Sequence, residues 1–143
     1  MTEGASKIWL PIFFGIIACS WMPHWSCHYY RIETGSSFVA GGWSFSISDS
    51  LLFMVLYSIP ISLNLIAISY SKVRFIAALS SGILHLTLGI FHIIRLIDPF
   101  TFKVFGFDWS INASLREILI VIPSGLACII VALALNKKGI LSQ

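Results

Sequence analysis

Four long apolar windows, separated by short polar stretches, dominate the pattern along this chain. They fall at 8–26, 51–70, 75–95 and 115–135. Each approaches the ~20 residues that an α-helix needs to cross a hydrocarbon core. None alternates strictly, and each exceeds the ~10 residues of a tilted barrel strand. The pattern predicts an all-α membrane protein, a four-helix transmembrane bundle forming one domain over residues 1–143.

Polar punctuation supports these windows. Ser48-Asp49-Ser50 offers caps for the second helix, and Asp49 suits its positive end. Ser114-x-x-Glu117 has the spacing of a capping box before the fourth. Asn136, Lys137, Lys138 and Gly139 read as its stop. Pro11, Pro60 and Pro123 lie inside apolar runs, where neighbouring helices re-satisfy the freed carbonyls, so they predict kinks. Pro23 is a candidate end for the first helix.

The loops read differently. Residues 27–48 include the alternating run Trp43-Ser44-Phe45-Ser46-Ile47-Ser48 behind Gly41-Gly42, which allows a short β-hairpin. Residues 96–111 carry Phe100, Phe102, Phe105, Phe107 and Trp109. Their simplest reading is an aromatic belt at the lipid headgroups; the sharper one is a small sheet that joins both loops.

Composition agrees with the hydrophobic pattern. Hydrophobic residues make up 57% of the chain and charged residues 10%, with a mean hydropathy of +0.91. Soluble domains carry ~25% charged residues to keep their surfaces wet. The net charge of +3 is scattered, which excludes a nucleic-acid face. Cys19, Cys27 and Cys128 form no CxxC, so neither a zinc ribbon nor a disulfide framework is encoded. The first apolar run lacks the basic flank of a signal peptide and reads as a retained helix.

Charge also sets a direction. Lys7, Lys72, Arg74, Lys137 and Lys138 fall on one side with Glu3. Arg31, Arg95, Lys103 and Arg116 fall on the other, among Glu33, Asp49, Asp98, Asp108 and Glu117. A local Arg95–Asp98 pair would further reduce the second set. The first side is the more basic, so both termini are expected in the cytoplasm.

The layout of four helices, internal termini and a larger first outer loop with strand character resembles the claudin-like tetraspan proteins. Gly41-Gly42-Trp43 is similar to that family's glycine-leucine-tryptophan signature. The cysteine pair that follows it there has no counterpart here, and no barrier function is carried over.

Candidate chemistry centres on histidine. Ala78, Gly82, His85, Gly89 and His92 form one stripe about 80° wide on the third helix. Small residues let helices approach closely, so Ala78, Gly82 and Gly89 are expected to pack against a row containing Ser124 and Cys128. His24 and His28 lie one turn apart and, with His92, converge near the outer face; His85 lies about 10 Å deeper. In one reading the imidazoles are structural, each satisfied by a hydrogen bond. In the other, His24, His28, His85 and His92 hold haem or a chlorophyll-type pigment, or His24, His28 and His92 hold copper or zinc. No acidic residue lies deep in an apolar run, and no phosphate loop or nucleophile elbow occurs. The Asn112-Ala113-Ser114 sequon abuts the membrane and reads as accidental. The expected role is a non-catalytic accessory or scaffold subunit in the lipid bilayer, packing against other membrane subunits or copies of itself; cofactor binding is the alternative.

Overall fold

The computed structural model describes residues 3–104 and 107–140. Four helices form: α1 (Glu3–Thr34), α2 (Ile47–Ser69), α3 (Arg74–Ile97) and α4 (Ile111–Ile140). All are long and apolar enough to cross a membrane. Between them lie strands β1 (Val39–Ala40) and β2 (Trp43–Ser44), then β3 (Phe102–Val104) and β4 (Phe107–Asp108).

Several helices run beyond their apolar windows into polar residues: α1 past residue 26 to Thr34, and α2 and α4 back to Ile47 and Ile111. Pro23 lies inside α1, which continues through Cys27, His28 and Arg31. It stops at Gly35, whose φ of 65° and N–H to the Arg31 carbonyl (2.9 Å) make a left-handed C-cap. At α2 the cap is Ser46, reciprocally bonded with Asp49 in a capping box. Ser110 accepts from the Ala113 N–H (3.1 Å) and opens α4. The capping serines expected at 48, 50 and 114 are therefore misplaced by up to a turn, while Asp49 does sit in the first turn of α2, as expected. Ser50 and Ser114 are instead fully buried inside their helices. Arg74 closes α2, donating to the Ala67 and Ile68 carbonyls at 2.9 and 3.1 Å.

The α1–α2 and α3–α4 connections both fold as β-hairpins, whereas α2 and α3 are joined by a short 3-10 turn at Ser71–Val73. Gly41 and Gly42, at φ 58° and 80°, supply the two left-handed residues that a two-residue hairpin turn demands. The strands join into one sheet of order β2-β1-β3-β4. The sheet joins both loops, as the sharper reading of the second loop expects. Phe100 and Phe102 pack on Phe91, and Phe102 on Trp109 and Phe38. Phe105 lies outside the described residues, as does the side chain of Phe107.

At the end away from the sheet, Leu10, Phe14, Ala67, Ala77, Ala78, Val131 and Ala132 form a core shared by all four helices. Ile17, Trp21 and Cys128 make the next layer. Gly82 and Gly125 set the α3–α4 crossing: a Cβ on either would lie 3.2 Å from the other's carbonyl oxygen. Gly89 faces the Ile122 side chain across the same seam. Ser124 is only half-buried, so Gly125 takes the place expected of it, while Cys128 is buried. Asn64 ties α2 to α3, donating to Ser81 Oγ at 2.7 Å.

The two halves repeat one plan of helix, hairpin and helix at a constant shift of 64 residues. His28, Arg31, Phe38, Ser46, Ser50 and Leu51 recur as His92, Arg95, Phe102, Ser110, Ser114 and Leu115. In the central ladder Val39 pairs with Lys103, its own equivalent. A two-fold relation between halves requires such self-pairing, as in an isologous interface.

Candidate functional site

Two arginine clamps and the cavity between them make up the site. Arg31, on the last turn of α1, is 5% exposed. It donates through Nε to the Ser36 carbonyl (2.9 Å), through Nη1 to the Ser46 carbonyl (2.7 Å) and Ser50 Oγ, and through Nη2 to the Phe45 carbonyl. Arg95 is 3% exposed and repeats the set: Nε to Phe100 (3.1 Å), Nη1 to Ser110 (3.1 Å) and Ser114 Oγ, and Nη2 to Trp109. Each guanidinium gathers the carbonyls at both feet of its hairpin, a task for a rigid planar fork. Arg31 lies 5.7 Å from the Phe38 centroid and Arg95 5.4 Å from that of Phe102, again equivalent pairs. The expected Arg95–Asp98 ion pair does not form; Lys103 instead pairs with Asp108 on the exposed hairpin.

A histidine braces each clamp. His28 Nδ1 lies 3.0 Å from Ser50 Oγ, and His92 Nδ1 lies 3.1 Å from Ser114 Oγ. Each serine thus ties the arginine and histidine of one helix to the next helix. Between apolar helices such interhelical hydrogen bonds add to van der Waals packing in holding neighbours together.

Beneath the sheet, between the halves, lies a cavity of about 370 Å³. Its wall is largely aromatic, from Phe38, Phe45, Phe53, Phe91, Phe102 and Trp109. His24, Tyr57 and Glu117 join it, with His28, His92 and Arg31 at the clamp end. Glu117 makes no hydrogen bond or ion pair among the described residues, and neither does His24, whose ring rests 5.7 Å from that of Tyr57. The Nε1 of Trp109 is buried without a partner.

Three of the four histidines thus share one cavity. The fourth, His85, lies apart: it packs against Trp21 at 4.1 Å and bonds Ser20 (3.1 Å) and the Ser81 carbonyl (2.9 Å). It is a satisfied core histidine. His24, His28 and His92 line the cavity without closing on a point; among the described residues no three His, Cys, Asp or Glu side chains group closely enough to hold a metal ion.

Sequence reasoning missed Arg31, Arg95, Ser50 and Ser114 as a set, and it read Glu117 as a helix cap. The signal lay in self-comparison: His-x-x-Arg, then Ser-Ile-x-x-Ser-Leu, occurs twice at the 64-residue shift. No protein-family model matches the chain, and the search of curated proteins and that of solved structures likewise return no match.

Proposed function

We propose that this chain is a multi-pass integral membrane protein with both termini cytoplasmic, and that it holds a small organic molecule in the cavity without transforming it. The observation that carries this is the cavity itself: ring-walled, large enough for a small ligand, and lined by polar side chains, Glu117, His24 and Tyr57 among them, that make no hydrogen bond among the described residues. Ile8, Ile12, Ile16, Leu119, Ile130 and Leu133 face outward, as a lipid contact requires. Orientation draws support from the clamps. Arg31 and Arg95 are bound to carbonyls and do not act as free loop charges, which leaves the end carrying Lys72 and the chain termini the more basic. A cysteine placed at Ser71 is expected to react with an impermeant reagent only after cells are opened, and one at Trp43 in intact cells; the reverse pattern overturns the orientation.

An accessory role remains part of this reading, but it does not run through the small-residue faces, which are spent on the α3–α4 seam. The test is chemical. Wild type purified in mild detergent should release one compound on solvent extraction, and Leu88→Trp, which fills the cavity, should release none. An empty wild type, or equal recovery from both, sinks the proposal.

One observation favours a second reading, a haem or chlorophyll-type pigment. His28 and His92 are anchored through Nδ1, while Nε2 of each makes no hydrogen bond among the described residues. Metal-bound imidazoles are commonly anchored in this manner. A Soret or pigment band in the purified protein would establish that reading, and a colourless protein removes it.

A further inference from the structure

We propose that the molecule held in this cavity is an amphipathic organic amine, with its protonated nitrogen against Glu117 and its apolar body among the aromatic rings. The inference rests on the reading of the cavity as a ligand site and adds the class of ligand.

Several polar groups on the cavity wall are already committed to protein partners. Arg31 reaches the cavity, but four donor contacts tie it to three hairpin carbonyls and Ser50. His28 and His92 are tied to Ser50 and Ser114. The Trp109 N–H has no hydrogen-bond partner among the described residues, yet it is shut away from solvent. Glu117 is left as the one formal charge on the wall with no hydrogen-bonding partner among the described residues, and an ionised carboxylate only accepts. A ligand that satisfies it must donate, and a cationic donor forms the stronger, charge-assisted bond. The surrounding rings suit the same group, since a cation is attracted to an aromatic face and an apolar body is buried between faces. His24 and the Tyr57 hydroxyl, which make no hydrogen bond among the described residues, add further polar atoms for a donor or acceptor on the ligand.

The halves themselves point to Glu117. Its equivalent is Phe53, and both residues line the cavity. The clamp residues are the same in both halves, so the carboxylate is an addition that the repeated plan does not need.

The test uses the full chain in lipid nanodiscs, with empty discs as background, and three probes that share one ring system: 1-naphthylmethylamine, 1-naphthalenemethanol and 1-naphthylacetate. The amine is expected to bind at least tenfold more tightly than the other two, and Glu117→Gln to bring it to the level of the alcohol. The thermal unfolding of that variant should match wild type, which separates lost binding from lost structure. If the alcohol or the carboxylate equals the amine, if no probe binds, or if Glu117→Gln keeps the preference, the amine is overturned. Leu88→Trp distinguishes the two levels. Binding of any probe that this variant abolishes leaves the cavity reading standing; binding that it leaves unchanged overturns both.

Discussion

The N-terminal and C-terminal halves of this molecule are built on one plan and finished differently. Where they agree, the residues hold the fold: arginine on hairpin carbonyls, histidine and arginine on serine, phenylalanine under guanidinium. Where they differ, two kinds of change occur. One is packing: Ala18 and Trp21 in α1 stand where Gly82 and His85 stand in α3, so α3 and α4 approach backbone to backbone. The other lies on the cavity wall, where His24, Cys27 and Phe53 are answered by Leu88, Phe91 and Glu117. Shared chemistry marks the frame, and unshared chemistry marks what the frame was adapted to hold.

The strongest way to break this comparison is to remove a clamp. Arg31→Met or Arg95→Met should each destabilise the protein by about 3 kcal/mol or more, because buried carbonyls lose charge-assisted partners. Lysine should not rescue either, lacking the planar fork. Denaturation in detergent should give similar losses for the two; if one variant is silent, the halves are not equivalent. Next in size is the seam. Gly82→Ala places a Cβ 2.7 Å from Ile129 Cδ1 and 3.2 Å from the Gly125 carbonyl, costing about 1–3 kcal/mol by overpacking. Its mirror change, Ala18→Gly, should cost only about 1 kcal/mol, the helix penalty of glycine. Thermal unfolding of the pair measures whether close approach belongs to one half alone.

The serine bridges come third. Ser50→Ala and Ser114→Ala should each cost about 1–2 kcal/mol, since arginine and histidine both lose a partner. The double variant, in a thermodynamic cycle, should be additive if the clamps act independently. The smallest effect belongs to the exposed Lys103–Asp108 pair at 3.7 Å. Lys103→Ala should leave stability within error, even though Lys103 pairs with Val39 across the halves, because the ladder there is backbone and the ion pair is solvated.

Much of the fold was legible in advance. The four apolar windows located the helices, Gly41-Gly42 located a hairpin, and the alternation at Trp43–Ser48 indicated strand character. Helix ends were not legible, because Pro23 reads as a stop until neighbouring helices are present to support it. Ser50 and Ser114 illustrate the same limit. A serine near a helix start has the composition of a cap whether it faces solvent or a buried guanidinium, and only the approach of Arg31 and Arg95 decides which. Of the histidines, the stripe on α3 correctly placed His85 and His92 inward, yet their different fates depended on neighbours from other helices: Trp21 and Ser20 for one, Ser114 for the other.

By itself the sequence determined where the chain is helical, since apolar length and the need to satisfy every backbone group leave little choice in so hydrophobic a chain. It also held the repeat, written as His-x-x-Arg and Ser-Ile-x-x-Ser-Leu twice over. Tertiary structure alone decided that the two hairpins share one sheet, that the arginines turn inward onto carbonyls, and that Glu117 faces a cavity instead of capping a helix. Those outcomes rest on contacts between residues far apart in the chain, and no local propensity specifies which distant partner a polar side chain will meet.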